Sequence, residues 1–391
     1  MPKHASVELA DILRQQEKAG WEQHGLNLSQ RKVWRAITAC RTAALGGHIE
    51  RCDQCQTTRH IYHSCRNRHY PKCQSRTKDQ WLAARQRECL SVPYTHLVFT
   101  IPHALNGLAV SHFRMITDIL FSASAETLLA FAANSRWLGG VPAITLVLHT
   151  WTQTLQRHLH IHALMPNGVL TEDGQWKQSR RGFLFPVKAL SKVFREKFID
   201  ALKLARADDR IPKEMMDDQA WKHLLIELRR HDWVVYAKAP LGGPQQVLDY
   251  LSRYTHRVGI SNERLLSFHD GLVRFKVRDN THAGKKRVAQ LPASEFTRRF
   301  LQHVLPTGFK RIRHYGVLAN CHKKEKLAQC RLALQMSQPQ PAIIEGVQAF
   351  MLRVSQIDIL RCPHCGLGAM QVIEVIVAAK HRPVLTTGPP P

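Results

Sequence analysis

His158-Leu159-His160-Ile161-His162 decides the reading of this chain. The alternation is that of a β-strand, with three histidines on one face and Leu159, Ile161 and Ala163 on the other. Same-face neighbours on a strand stand about 7 Å apart, so His160 and His162 can converge on one ion. His158 and His162 stand about 13 Å apart, so a regular strand does not bring all three to one metal. A third ligand then comes from elsewhere, and His149, His158 (on a bent strand) and His256 all stay open as candidates. A solvated strand face is the competing reading of the same alternation. A histidine pair suits Mn²⁺, Zn²⁺ or Co²⁺, while Mg²⁺ would need water and phosphate oxygens to complete its shell.

A second stretch, Tyr250-Leu251-Ser252-Arg253-Tyr254, places two phenols one helical turn apart. Arg253 and Arg257 lie alongside, where they can hold a phosphate. Val247, Tyr250, Leu251 and Tyr254 also make an ordinary core stripe. A phenol with a pKa near ~10 is a weak nucleophile at neutral pH, and a divalent ion that polarises a phosphate removes much of that difficulty. Attack by Tyr250 or Tyr254 would leave a covalent phosphotyrosine and a free 3′ hydroxyl. That link conserves the phosphodiester energy. No nucleotide cofactor is therefore expected, and no G-x-x-x-x-G-K-[ST] loop occurs.

Composition points the same way. Lys and Arg number 56 against 30 Asp and Glu, a net charge of +26 in 391 residues. That excess suits a polyanion, nucleic acid first. Neither an apolar signal core nor a run near the ~18 apolar residues of a membrane span is legible, so a cytoplasmic protein with no membrane partner is expected. In that reducing compartment the ten cysteines read as metal ligands and buried thiols rather than disulfides.

The chain is long enough for two or three domains. Residues 1–92 read as helical and then Cys/His-rich, 93–320 as a catalytic domain, and 321–391 as a basic C-terminal region with a Pro-rich tail. Strands are expected at 96–100, 144–148, 158–165, 233–237 and 272–278, and helices at 110–135, 187–206, 214–230 and 294–304. Strands interrupted by helices without a regular βαβ rhythm imply an α+β core on an antiparallel sheet.

His160-Ile161-His162 and the run Tyr250-Leu251-x-Arg253-Tyr254-x-x-Arg257 together resemble the two-tyrosine HUH transposases of rolling-circle insertion sequences, the insertion-sequence-ninety-one family. Flanking stretches are similar too, among them Leu148-His149-Thr150-Trp151, Phe185-Pro186-Val187 and Arg311-Ile312-Arg313-His314-Tyr315-Gly316. The likeness runs over residues 35–365. It implies an HUH-endonuclease-like antiparallel sheet and a small N-terminal zinc-binding domain. It also implies cleavage and rejoining of single-stranded DNA at mobile-element ends, with Tyr250 and Tyr254 as nucleophiles. His160 and His162 would hold Mg²⁺ or Mn²⁺. The same chemistry would serve a rolling-circle replication initiator or a relaxase, but no helicase motif accompanies it. A zinc-dependent DNA-binding regulator without catalysis would explain the charge and the cysteines, but not the ordered histidines and tyrosines.

Cys52-x-x-Cys55 opens a zinc half-site. The resemblance implies a second C-x-x-C at Pro71, where this chain reads Tyr70-Pro71-Lys72-Cys73. Cys65 or His69 could replace the missing ligand, giving Cys52, Cys55, Cys65 and Cys73 as the expected structural zinc set; Cys40 and His48 are further options. Cys362-Pro363-His364-Cys365 is another half-site, which could pair with Cys321 and Cys330. Cys89 sits in a helical pattern and reads as a buried, inert thiol.

Overall fold

Leu159, Ile161 and Ala163 are buried to 1% exposure or less, and the sheet is built around them. The computed structural model describes residues 7–17, 25–179, 184–241, 246–247, 259–279, 285–340 and 345–379. Tyr250, Arg253, Tyr254, His256 and Arg257 lie outside the described residues. In chain order the strands are β1 (Gly47–Cys52), β2 (Thr58–Tyr62), β3 (Tyr94–Thr100), β4 (Ala143–Trp151), β5 (Arg157–Pro166), β6 (Gly168–Leu170), β7 (Trp176–Gln178), β8 (Val235–Leu241), β9 (Leu265–His269), β10 (Leu272–Asp279), β11 (Lys285–Pro292), β12 (Ile312–Gly316) and β13 (Met370–Ile376).

The chain forms two compact units, and neither is continuous in sequence. One comprises residues 81–255 and 308–340. Its five-stranded sheet runs β12-β4-β5-β3-β8, antiparallel throughout, with β5 in the centre. This is the α+β architecture the sequence implies. Phe99 stands opposite Ile161 and so shares its face, and it meets Phe194 of helix Val187–Ala207 at 5.0 Å between ring centroids. Trp233 completes this aromatic cluster, 5.4 Å from Phe194 and 5.2 Å from Phe198. Its indole N–H donates to Leu228 O, so the buried polar atom is satisfied. Helix Phe113–Ala133 packs beside it on β4, β5 and β12. By length and composition this helix could cross a membrane, with a mean hydropathy of 1.4, which the sequence reading did not anticipate. It is a core helix here, with 61% of that stretch buried.

The opposite face of the sheet carries the histidines. Toward one end that face is covered by a second apolar cluster, which includes Leu90, Tyr94, Leu164, Val247, Val317, Leu327 and Cys330. Cys330 is thus a core thiol, while Cys321 is exposed, and neither joins the Cys362–Cys365 half-site. Cys89 is half-buried, and burial pushes its thiol up to about 12, as expected of an inert group.

The other unit comprises residues 1–80, 256–307 and 341–391. Helices Leu9–Glu17 and Leu28–Thr38 bury Leu9, Ile12, Leu13, Trp34 and Ile37. Asn27 and Gln30 form a reciprocal capping box that starts the second helix. Two three-stranded sheets follow, β11-β10-β9 and β13-β1-β2. The first packs Phe275 against Phe296 of helix Ala293–Leu301 at 5.6 Å. The second joins the two ends of the chain, because β13 pairs antiparallel with β1 from Gly47↔Ile376 to Cys52↔Met370. The consecutive domains expected at 1–92, 93–320 and 321–391 therefore do not coincide with the compact units.

Candidate metal centres

Strand alternation carries His160 and His162 to one face of β5, and cross-strand register supplies a third imidazole. His149 on β4 stands directly opposite His160. One ligand atom from each of His149, His160 and His162 lies within 4.8 Å of the others. Among the three ligands left open by the sequence, the structure brings His149 to the pair. His158 stays outside the group, its ring 5.9 Å from that of His103.

The hydrogen bonds orient these rings. His160 Nδ1 lies 3.0 Å from the carbonyl of His158. A carbonyl only accepts, so Nδ1 donates and Nε2 keeps its lone pair for a metal. His162 Nδ1 lies 2.8 Å from His96 Nε2. With His162 as the donor, its Nε2 likewise keeps a lone pair. Trp151 stacks on the His149 ring at 4.6 Å and limits its rotation. Burial, helped by the charge of His158, holds His160 down to about 4, and burial followed by Lys238 holds His96 down to about 3. Burial, with His149 next, holds His162 well below its ordinary value. All three are neutral at pH 7, the form in which an imidazole binds a metal.

The expected zinc set divides in two. Cys65 and Cys73 lie with Cys40, not with Cys52 and Cys55. Cys40 Sγ is 3.3 Å from Cys73 Sγ, and Cys65 Sγ is 3.7 Å from Cys73 Sγ. Backbone amides of Cys65 and Asn67 donate to the sulfurs of Cys40 and Cys65. Tyr70 is buried, and its hydroxyl donates to Glu8, so the residue in the missing ligand's place serves packing and a charge-assisted hydrogen bond. His69 accepts the Leu305 amide through Nε2, and His48 pairs with Glu50; neither joins a thiol group.

Cys52 and Cys55 instead meet Cys362 and Cys365, with all four sulfurs within 4.8 Å of one another. Sequence reasoning noted both C-x-x-C pairs but did not join them. The signal was present: two half-sites, each lacking a local partner. His96 was also missed as a histidine-site residue, because only the β3–β5 register brings it to His162.

Comparisons with known proteins agree with this layout. Residues 143–326 match the family described as "Putative transposase", and residues 12–101 match the family described as "Transposase zinc-binding domain". The chain is 43% identical to "Putative transposase y4qJ" of Sinorhizobium fredii, over 98% of this chain and 97% of that protein. It is 28% identical to the "Transposase for insertion sequence element IS801" of Pseudomonas savastanoi pv. phaseolicola, over 88% of this chain and 84% of that protein. Among solved structures it is similar to a conjugative relaxase, TrwC, in complex with oriT DNA, at 14% identity and a TM-score of 0.24, covering 62% of this chain and 73% of that one. The family matches and the two curated relatives define the class: the chain is a transposase. It belongs to the IS91 family of insertion-sequence transposases and carries that family's zinc-binding domain at its N-terminus.

Proposed function

We propose that the chain cleaves and rejoins single-stranded DNA at the ends of its element through a covalent 5′-phosphotyrosine, in a rolling-circle mode of transposition. The observation that carries this reading is the convergence of His149 on β4 with His160 and His162 on β5, the central strand of an antiparallel sheet. Three converging imidazoles, of which His160 and His162 are held neutral by burial, fit a divalent transition ion, with Mn²⁺ ahead of Mg²⁺. Bound there, it would supply Lewis-acid polarisation of the scissile phosphate.

The chain's own residues do the rest. Tyr250 or Tyr254 offers its phenolic oxygen to phosphorus, forming the Oη–P bond as the P–O3′ bond breaks. The phenol gives up its proton and the released 3′ oxygen takes one. Arg253 and Arg257 hold flanking phosphates by charge. Rejoining is the reverse attack by a 3′ hydroxyl on the phosphotyrosine. Two tyrosines permit two cleavages in succession, with one strand end held while the second is cut. Val247, three residues before Tyr250 in sequence, packs with Tyr94 and Leu164 on the histidine face of the sheet, which supports this assignment. In the N-terminal domain the thiol clusters suit structural zinc.

The test is a denaturing gel of purified protein incubated with Mn²⁺ or Mg²⁺ and single-stranded DNA carrying an element end. A metal-dependent covalent adduct is expected. It should disappear in the Tyr250→Phe, Tyr254→Phe double variant and in His160→Ala, while DNA binding largely persists. Tight binding without an adduct on any element end would overturn the cleavage reading in favour of a DNA-binding regulator.

A further inference from the structure

We propose that Cys52, Cys55, Cys362 and Cys365 form one four-thiolate zinc site, so that the zinc-binding domain is completed by a segment more than 300 residues downstream. The site is independent of the tyrosine chemistry, because none of its residues belongs to the histidine centre. It redraws the ligand set expected from the N-terminal sequence alone.

Distance is the first support. A sulfur tetrahedron around zinc, with Zn–S bonds of about 2.3 Å, has edges of about 3.8 Å. Here Cys52 Sγ lies 3.7 Å from Cys365 Sγ, and Cys55 Sγ lies 3.7 Å from Cys362 Sγ. Each contact crosses from one C-x-x-C to the other, as two opposed half-sites require.

Backbone geometry is the second. The amides of Gln54 and Cys55 point at Cys52 Sγ, at 3.4 and 3.5 Å, and the Gly368 amide points at Cys365 Sγ at 3.5 Å. Amide donors aimed at sulfur stabilise thiolates, the form that binds metal. The two turns are also clamped together. Asp53 N donates to Ala369 O and Ala369 N donates to Asp53 Oδ1 across them, while Cys362 N donates to Gly368 O within the C-terminal turn. Gly368 fits only as glycine, since a Cβ there would stand 2.4 Å from Cys52 Sγ.

The third support is the small apolar burial of the C-terminal ribbon among the described residues. Of the seven residues of β13, Met370 alone is buried, while Val372, Ile373 and Val375 are 58%, 45% and 69% exposed. The small cluster beneath holds Cys52, Cys362 and Met370, with Cys55 and Cys365 against it. Four of its five members are thiols. A strand with so little apolar burial requires another source of stability, and a structural metal supplies it. Soft, tetrahedral sulfur donors favour zinc.

Metal analysis of the full chain tests this. Cys362→Ser/Cys365→Ser should lose one zinc equivalent relative to wild type, and so should Cys52→Ser/Cys55→Ser. Combining all four should remove no more than that one equivalent. Cys65→Ser should leave this equivalent in place. A second measurement needs no variant: stripping metal from the wild-type chain should open the segment after Ser355 to protease, and restoring Zn²⁺ should protect it again. Unchanged zinc in Cys362→Ser/Cys365→Ser would overturn the site. So would additive losses, iron in place of zinc, protease resistance that ignores the chelator, or a mass four hydrogens short from two disulfides.

Discussion

His160 and His96 show how far a single side chain can be read. His160 follows from strand alternation in one stretch of sequence. His96 is invisible there, because its role depends on a register that only the folded β3–β5 pair supplies. His149 falls between: the sequence left it among three candidates, and the β4–β5 pairing puts it opposite His160. Tyr70 was legible only as an irregularity, and burial with a bond to Glu8 explains it. The Tyr250 and Tyr254 roles are read from the sequence, with the packing of nearby Val247 beside them. At this scale we expect His96→Ala to weaken Mn²⁺ binding about 10- to 100-fold, as loss of a ligand's hydrogen-bond partner does. Calorimetric titration of metal-free protein measures it. Unaltered affinity would reduce His96 to a packing residue.

Whole elements were legible where an apolar period existed. β4, β5 and helix Val187–Ala207 have strong patterns and were placed within a few residues. β12 carries no apolar alternation, because Arg313, His314 and Tyr315 are polar or amphipathic at a sheet edge. β1 and β2 carry little apolar alternation, and β13, though rich in Val and Ile, lacks a strict period of two, so none was placed from its pattern. Helix Val187–Ala207 also carries the aromatic packing of the sheet unit. Phe194 is fully buried among Phe99, Phe198 and Trp233. Phe194→Ala should destabilise the sheet unit by about 3–5 kcal/mol. Urea unfolding followed by tryptophan fluorescence reads that loss, and a change below ~1 kcal/mol would mean that the aromatic cluster repacks around the gap.

Across the molecule, charge was the most legible property and connectivity the least. A net +26 announces DNA without a fold. The buried histidines add a pH dependence. His96 is held at about 3, and His160 and His314 at about 4, each by burial first, against an ordinary value of 6.5. The unfolded chain therefore binds more protons than the folded one between those limits. Stability of the metal-free protein is full above about 6.5 and falls as pH drops toward 4. Thermal melts across that range measure it, and a flat profile would contradict the burial of these rings.

Pairing of β13 with β1 also has a consequence in time. Cys52 leaves the ribosome 310 residues before Cys362, the difference of their positions. At about 5–20 residues per second, translation takes roughly 15–60 s to cover that distance. Throughout that interval the first half-site has no partner, and the opening strand has no neighbour on the side that β13 will occupy. A prematurely terminated copy of the gene, such as decayed insertion elements leave behind, would make a chain whose first domain never closes. Quality-control proteases would meet it with that edge still open.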